Sequence, residues 1–554
     1  MQLPEPQTKT FPSLVNAIEQ GQIKIPQFQR EFVWTMNKSA GLIDSIIKGY
    51  PIGAFIFWRT KERLRSVKNI GKQNLPEPSE GEFVDYVLDG QQRLTSLFAS
   101  LKGVMLTGDN GGKNDFSKIY IDLEAKENEQ IVITEVQDKE QRIISIVDLL
   151  TGGLGCLFAY PEKYHNRLET YKQRIENYQY SIIQINDAPI EIATEIFTRI
   201  NVGGKPLSLF EIMVAKTYDD KRQFDLAQKT QDLIDNLKPY NYETISNATI
   251  LQTVSLILSK ECKRQIILQL DKDDFINVWN QVQDAIERTV EYFKNYYRIP
   301  VSQLLPYNAL IAPFSYFFFH HNDKPTGDKQ KYLEDFFWRC SLSGRYSSSV
   351  ESKLAQDIKR IDNILMDKLP NYDWSIDPSP EFIINNGWFS AARSYIKAVL
   401  CLYAYQQPKS FNDNSIVNIS NYWLKQANSK NYHHFFPKSY LKKKGYEDYR
   451  INHISNITIV DDFLNKKEIK AKAPSEYMAK FQDINIDLRT TMKTHLIDNI
   501  DDFGIWNDNY DRFIQKRAKS VSYEISKRLI QQEIDRQGQS YLNNDFEEEI
   551  TIVG

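Results

Sequence analysis

The amino-terminal part of the chain, to about Tyr218, alternates short apolar runs with stretches of helical periodicity. The runs most typical of strands are Ala54–Trp58, Phe83–Leu88 and Ile119–Leu123. Apolar runs of this length, separated by helical patterns, predict an α+β domain.

Residues 219–405 have a different pattern, in which long amphipathic stretches dominate and few runs are typical of strands. The clearest stretches are Ile250–Leu258, Phe275–Tyr297 and Leu354–Leu369. Apolar positions with this spacing cover one face of a helix. We interpret this part as a helical spacer domain.

The carboxy-terminal part, residues 406–554, is mixed. It begins with a polar loop at Gln407–Asn414, continues with a predicted helix near Ile416–Ala427, and ends in a helical tail whose strongest amphipathic stretch is Lys516–Gln532. The acidic end, Asp545–Glu549, is expected to fray. The predicted fold class is α+β multidomain, with domains at 1–218, 219–405 and 406–554.

Composition is that of a soluble globular protein, with 41% hydrophobic and 25% charged residues. No apolar run reaches the roughly 20 residues that span a bilayer, and Met1–Thr10 lacks the apolar core of a signal peptide. We therefore expect a cytoplasmic protein without a membrane partner. The formal net charge is only −3, so any contact with nucleic acid must come from local basic faces.

Residue spacing argues against two kinds of site. The four cysteines stand singly, which favours neither a zinc ribbon nor a disulfide framework. Gly204-Lys205 is followed by Pro206 and has no glycine five positions earlier, so a P-loop is not predicted.

One basic face stands out between Lys425 and Lys472, where eleven basic side chains accompany five acidic ones. A cluster of this kind can contact several backbone phosphates. From charge alone, a solvated loop is an equal alternative. The residues predicted to bind DNA here are Lys438, Lys442, Lys443, Lys444, Lys466 and Lys467.

The same segment contains a pair of histidines and two asparagines within a predicted ββα unit. A first strand ends at His434, before Pro437, and Ile457–Val460 predicts a second strand. Asp461 or Asp462 then caps a helix. Such a unit is a compact frame for one metal ion.

Hydrolysis of a phosphodiester requires a base that deprotonates water and a cation that stabilises the leaving 3′-oxygen. Histidine suits the first task because it is largely neutral at working pH. A carboxamide oxygen and one further side chain suffice for Mg²⁺, which retains several waters.

The segment resembles the HNH nuclease family, in which an Asp-His or His-His pair ends the first strand and an asparagine lies on the helix. The resemblance implies that His434 is the general base, His433 the first metal ligand and Asn465 the second. It also implies that Asn456, which we group with the catalytic residues, ties the loop together rather than attacking the phosphate. Because His433 replaces the commoner Asp, Mn²⁺ or Ni²⁺ becomes more suitable beside Mg²⁺.

Two other histidine positions serve as comparisons. The pair His320-His321 has no nearby strand and no downstream Asn-Lys helix, so we assign it to core or helix packing. For His453 we favour a loop-packing role.

Three clusters in the amino-terminal part are unusual for a core. They lie at Ile25–Trp34, Leu88–Leu97 and Phe197–Ser208. In the second cluster a strand ends and a helix begins near Gly90, so the first backbone N–H groups of the helix form an anion site.

Two side chains of the second cluster add to that site. Arg93 supplies a positive fork suited to a phosphate, and Asp89 could cap the helix or orient a metal or hydroxyl. A plain capped helix with Arg93 in a structural salt bridge is an equal alternative.

Together the three clusters resemble the amino-terminal domain of the GmrSD family of modification-dependent (type IV) restriction enzymes and of their SspE-type relatives, a domain related to the ParB and sulfiredoxin fold. The resemblance implies that ATP, GTP or CTP is bound and hydrolysed there. The core of the nucleotide site would comprise Asp89, Gly90, Gln91, Gln92 and Arg93. The same pocket, or an adjoining DNA-sensing surface, would include Gln29, Arg30, Arg199 and Asn201.

The favoured hypothesis is a nucleotide-regulated, metal-dependent DNA endonuclease that acts in anti-phage restriction and senses DNA modification. One metal centre per chain severs one strand, so a double-strand break needs a homodimer or two visits. One alternative is a ParB-like nucleotide-switched DNA-binding protein that does not cleave. Another is an RNA-cleaving toxin that uses the same ββα site.

Overall fold

The computed structural model describes residues 3–26, 32–64, 66–68, 70, 75–76, 78–79, 81–107, 113–126, 128–136, 141–200, 208–219, 221–390, 392–419, 432–460, 469 and 471–537. The chain forms two compact units, Met1–Leu226 and Ala227–Gly554. The three-part division of the sequence stays a prediction.

The strands are short and most of them lie in the first unit. They are β1 Glu5–Lys9, β2 Ile23–Pro26, β3 Phe55–Thr60, β4 Ser66–Lys68, β5 Val84–Asp89, β6 Met105–Thr107, β7 Lys113–Asp115, β8 Tyr120–Asp122, β9 Val132–Ile133, β10 Ile143–Ser145, β11 Tyr180–Asn186, β12 Tyr432–His434 and β13 Ile457–Ile459.

The main sheet of the first unit has the strand order β1-β11-β3-β5-β2-β4. It is mixed, since β11 pairs with β3 and β2 pairs with β5 in parallel, while the other neighbours are antiparallel. Two smaller sheets, β10-β8-β9 and β6-β7, complete the unit. The strands predicted at Ala54–Trp58, Phe83–Leu88 and Ile119–Leu123 correspond to β3, β5 and β8, and the mixture of helices and strands is consistent with the predicted α+β class.

The helices of the first unit are Phe11–Glu19, Met36–Ile47, Gln91–Lys102, Ile146–Thr151, Gly153–Phe158, Glu162–Glu176, Ile190–Ile200 and Leu209–Thr217. The first six, apart from Gly153–Phe158, contribute buried residues to one core with β2, β3, β5 and β8, because their apolar stripes cover one face of the sheet. The sheet places Asp89 at the end of β5, directly before the helix Gln91–Lys102.

The second unit is predominantly helical. From Leu226 onward the helices are Leu226–Leu237, Asn247–Ser259, Arg264–Gln269, Lys272–Asn295, Ile311–His320, Gly327–Leu342, Val350–Leu365, Pro380–Asn386, Ser394–Tyr405, Lys438–Lys443, Asp448–Ile451, Pro474–Ile484, Leu488–Lys493, Tyr510–Ser526 and Glu533–Gln537. None of the helices in the described ranges combines the length and the apolar character that a bilayer crossing requires.

The long helix Tyr510–Ser526 organises the carboxy-terminal half of the second unit. It packs against Pro380–Asn386 and Ser394–Tyr405. Its Phe513 stacks on Phe435 at a centroid distance of 4.7 Å, within a core that also contains neighbouring aromatic residues. The strand pair β12–β13 is therefore embedded among helices.

Two local predictions differ from the structure. Within the predicted helix Ile416–Ala427, residues 416–419 are not helical, because Val417 donates its N–H to the carbonyl of Pro408 and Ile416 pairs with Lys409 in an isolated bridge. The rest of that helix, and the acidic end 545–549, lie outside the described residues. The basic segment after Pro437 contains the helices Lys438–Lys443 and Asp448–Ile451, so the alternative of a solvated loop does not describe these residues.

A buried ion cluster joins the helix Gly327–Leu342 to the last described helix. Arg339 donates to Asp335 at 3.0 Å and to Asp535 at 2.6 Å, and the side chains of Arg339 and Asp335 are fully buried. The carboxylate of Asp335 also accepts from the N–H of Ile530 at 2.7 Å.

We expect Asp335→Ala to lower the free energy of unfolding by about 3–5 kcal/mol, since it leaves a buried guanidinium short of one carboxylate. Urea denaturation of the full chain measures this. The matched control is Asp328→Ala on the same helix, whose 60% exposed carboxylate faces Lys331, and it should cost less than about 1 kcal/mol. Equal midpoints for the two variants would contradict the prediction.

Candidate active site

The histidine pair lies on a two-stranded antiparallel ladder. His433 is opposite Thr458 and His434 is opposite Ile457. The β-branched residues of β13 favour an extended strand, and Pro437 follows the end of β12. A 3₁₀ turn, Ile454–Asn456, leads into β13.

Asn456 holds the two strand ends together. Its Oδ1 accepts the N–H of Phe436 at 2.9 Å, and its Nδ2 donates to the carbonyls of Phe436 and Ile451, both at 3.1 Å. Its backbone carbonyl accepts the N–H of Phe435 at 2.8 Å. The side chain is fully buried. Asn456 is therefore a positioning residue, rather than a catalytic residue that contacts substrate.

His434 is 9% exposed and is oriented by Asn452, whose Oδ1 lies 3.0 Å from Nε2. A carboxamide oxygen can only accept, so Nε2 carries the proton and Nδ1 is the basic nitrogen. Burial, together with the charge of Lys438, lowers the pKa of His434 to about 4. The ring is neutral at working pH and able to accept a proton.

His433 has the opposite arrangement. The Thr458 hydroxyl donates to the carbonyl of His433 at 3.3 Å and so accepts from Nδ1, which lies 3.1 Å away. Nδ1 therefore carries the proton, and Nε2 is the nitrogen with a lone pair. Burial, and then the neighbouring rings of His434 and His495, lower the pKa of His433 to about 3.

This arrangement of His433 fits a metal ligand. A metal-binding histidine is neutral and donates its second ring N–H to a fixed acceptor, here Thr458. The second predicted ligand, Asn465, lies outside the described residues, as do Lys466 and Lys467. Within the described ranges, no three His, Cys, Asp or Glu side chains converge as a metal site.

The segment Gly387–Phe389 from the helical part lies against the loop before β13. Phe389 donates its N–H to the carbonyl of Asn452 at 2.7 Å, and Ile454 donates to the carbonyl of Gly387 at 2.6 Å. An added Cβ at Gly387 would lie 2.3 Å from Nε2 of His453, so a side chain does not fit there. The segment thus fixes Asn452, which orients His434.

His453 accepts the N–H of Ser455 and contacts the carbonyl of Ile384, both at 3.1 Å, in agreement with a loop-packing role. His320 and His321 lie at the end of the helix Ile311–His320 and contact rings of that helix, as a packing role requires.

The basic side chains after Pro437 are exposed. Lys442 pairs with Asp448 at 3.0 Å, and Lys444 lies over the ring of Tyr440. Burial lowers the pKa of Lys438, which begins the helix Lys438–Lys443. These contacts leave both interpretations of the basic face open, so DNA binding by Lys438, Lys442, Lys443 and Lys444 stays a prediction.

The predicted nucleotide site lies at the turn between β5 and the helix Gln91–Lys102. Gly90 adopts a φ of 90°, and a Cβ there would approach Phe55 to 2.5 Å. The helix has no side-chain cap at this end. Gln91 and Gln92 are buried, and Oε1 of Gln92 accepts the N–H of Val33 at 2.9 Å.

Arg93 is held within the protein. Nη1 donates to the carbonyl of Ile52 at 2.7 Å, and Nη2 donates to the carbonyl of Ala54 at 2.9 Å and to Asp89 at 3.0 Å. The sequence left two alternatives for Arg93, a phosphate contact and a structural salt bridge. The described contacts are those of the structural salt bridge.

Arg199 is 77% exposed and pairs with Glu195 at 2.6 Å near the end of the helix Ile190–Ile200. Gln29, Arg30 and Asn201 lie outside the described residues. A pocket shared by these residues and the turn at Gly90 therefore stays a prediction.

Sequence reasoning missed Asn452 and Thr458, which orient the two histidines. The signal for Thr458 was available, because pairing the predicted strands in register places a hydroxyl opposite the first histidine. Asn452 lies outside both strands, 18 positions from His434, and had no such signal.

We expect Arg93→Ala to lower the free energy of unfolding by roughly 2–3 kcal/mol, because two backbone carbonyls lose charged donors. Chemical denaturation measures the change, with the exposed Arg199→Ala as the control that should cost less than about 1 kcal/mol. Lost nucleotide binding with an unchanged unfolding midpoint would instead favour a direct phosphate contact.

We also expect stability to fall in mild acid. Burial lowers the pKa of His495 to about 3 and that of His453 to about 4. Below the ordinary histidine pKa of about 6.5 the unfolded chain gains protons that the folded chain does not, so each ring removes up to about 1.4 kcal/mol per pH unit. Urea midpoints between pH 7 and pH 5 test this. His495→Gln should reduce the dependence of the urea midpoint on pH. The same dependence in wild type and variant would contradict the prediction.

Comparisons with known proteins support the predicted resemblance of the amino-terminal part of the chain. The chain is 26% identical to an uncharacterized protein of Methanocaldococcus jannaschii over 597 aligned positions. The alignment covers 94% of this chain and 98% of the relative. Residues 11–218 match the model of the GmrSD restriction endonuclease, N-terminal domain. This part of the chain is therefore similar to a GmrSD-type amino-terminal domain, and the match suggests a restriction endonuclease function.

Proposed function

We propose that the protein is a metal-dependent DNA endonuclease of a restriction system, with His434 as the general base and a nucleotide-binding, modification-sensing domain at residues 11–218. The observation that carries the proposal is the pair of adjacent buried histidines that contact different acceptors through different ring nitrogens. Asn452 leaves Nδ1 of His434 basic, whereas Thr458 leaves the lone pair on Nε2 of His433.

The two rings suit two different tasks. His434 accepts a proton from the attacking water, which then adds to the phosphodiester phosphorus. When bound, Mg²⁺, Mn²⁺ or Ni²⁺ would be held by His433 and Asn465 and would supply the positive charge that stabilises the leaving 3′-oxygen. Asn452 keeps the imidazole in the required tautomer, and Asn456 keeps the two strand ends at a fixed separation.

The basic helix Lys438–Lys443 begins four residues after His434. Lys438, Lys442, Lys443 and Lys444 would contact phosphates on either side of the cleaved bond and place the backbone within reach of the base. Each chain carries one such centre, so the simplest product is a nick. Cleavage of both strands requires a second chain or a second encounter.

The amino-terminal domain would regulate this reaction. The match over residues 11–218 supports a GmrSD-type domain, and the uncapped helix start at Gly90 is suited to a phosphate. In this proposal Asp89, Gly90, Gln91, Gln92 and Arg93 form the core of the nucleotide site. The phosphates contact the backbone N–H groups, because the Arg93 fork is already bound to carbonyls.

We expect His434→Ala to reduce the rate of plasmid cleavage by about 10²- to 10⁴-fold, the usual contribution of a general base. The assay uses supercoiled plasmid with Mg²⁺ or Mn²⁺, on modified and unmodified DNA, with and without nucleotide. The matched control is His320→Ala, which removes an exposed ring at the end of the helix Ile311–His320 and should leave the rate unchanged.

Equal loss of plasmid with wild type and His434→Ala would remove the proposed base. Structured RNA supplied beside the plasmid separates a DNA endonuclease from an RNA-cleaving toxin, because the toxin would degrade RNA alone. Nucleotide-dependent DNA binding without cleavage in any metal would support the ParB-like alternative.

A further inference from the structure

The 3₁₀ turn that carries Asn456 is held from outside the two-stranded motif. The carbonyl of Ile454 accepts the hydroxyl of Tyr403 at 3.1 Å. The next carbonyl, that of Ser455, accepts Nη1 of Arg517 at 3.0 Å. Two consecutive carbonyls before Asn456 are therefore bound by side chains from the helices Ser394–Tyr405 and Tyr510–Ser526.

Arg517 is an unusual residue for a helix interior. It is 1% exposed, and among the described residues it forms no ion pair with a carboxylate. Its Nε donates to the carbonyl of His495 at 3.2 Å, and its guanidinium lies over the ring of Tyr403 at 4.7 Å. A buried cation that is balanced by carbonyl dipoles and the rings of Tyr403 and Phe513, without a counter-ion among the described residues, is costly to maintain.

The geometry explains what this cation provides. An apolar side chain of similar length would fill the same space, but it would leave the buried carbonyls of Ser455 and His495 without donors. The planar guanidinium of Arg517 instead binds two separate backbone segments. It also lies over the ring of Tyr403, whose hydroxyl binds a third carbonyl, that of Ile454. Arg517 and Tyr403 thus act as one unit on the turn.

We infer that Arg517, together with Tyr403, is a positioning residue for the nuclease centre, which it aligns by holding the Ile454–Asn456 turn. This inference rests on the proposed function. Neither side chain touches the imidazoles of His433 or His434 in the described contacts, so the effect acts through Asn456 and the strand ends that it ties. The helical part of the chain then takes part in building the site.

The test uses the full chain and the variants Arg517→Lys, Arg517→Met and Tyr403→Phe. The control is Arg489→Met, which removes an exposed arginine that pairs with Asp501 in the same unit. Arg517→Met should lower kcat for plasmid nicking by about 10- to 100-fold, the scale of a misplaced catalytic group, with KM for DNA within about twofold of wild type. Arg517→Lys should recover part of kcat, and Arg489→Met should match wild type.

A second readout does not depend on cleavage. Amide hydrogen exchange in residues 451–460 should quicken in Arg517→Met and in Tyr403→Phe, but not in Arg489→Met, because the turn loses its external anchors. Tyr403→Phe keeps the ring beneath the guanidinium, so it tests the turn even where Arg517→Met fails to fold.

Two results overturn the inference. One is a folded Arg517→Met or Tyr403→Phe protein whose kcat stays within about twofold of wild type while its unfolding midpoint falls. The other is unchanged exchange in residues 451–460 in both variants. Absence of cleavage by the wild type would instead remove the proposed function, and the exchange data would then still decide whether Arg517 and Tyr403 hold the turn.

Discussion

The carboxy-terminal site depends on the carboxamide of Asn456. This fully buried group accepts the backbone N–H of Phe436 and donates to two carbonyls, that of Phe436 after β12 and that of Ile451 before β13. An unpaired polar group at this depth would cost more than the hydrogen bond itself contributes, so the strand ends cannot separate by even a small distance without a penalty. The positions of His433 and His434 follow, because both lie on the strand that Asn456 ties.

The two histidines are adjacent in sequence but chemically distinct. Their side chains have different partners, because His433 contacts Thr458 and His434 contacts Asn452. The hydroxyl of Thr458, which donates to a carbonyl, accepts from Nδ1 of His433. The carboxamide oxygen of Asn452 accepts from Nε2 of His434. Burial then keeps both rings neutral. In the proposed function, the division between a proton acceptor and a metal ligand therefore arises from Asn452 and Thr458, not from the histidines themselves.

Much of this site was predictable from local pattern. The strand before Pro437, the strand Ile457–Ile459 and the helix after Gly90 follow from apolar period, proline and glycine, which act over a few positions. The helices Lys438–Lys443 and Asp448–Ile451 were not predicted, because a lysine-rich run is equally suited to a helix surface and to a loop. Arg517 could not have been found, since it meets Ser455 across 62 positions and an amphipathic pattern places an arginine on the solvent side.

The contrast between Arg93 and Arg517 shows why residue type alone does not identify function. Both guanidinium groups bind backbone carbonyls rather than a ligand. Arg93 also has the carboxylate of Asp89, which balances its charge within the turn. Arg517 has no carboxylate partner among the described residues, and its charge is balanced by the carbonyls of Ser455 and His495 and by aromatic rings. Without these helices the β12–β13 pair would lose those donors together with the backbone pairing at Gly387 and Phe389, and the Ile454–Asn456 turn would be free to move. The strand pair therefore depends on the helices packed around it.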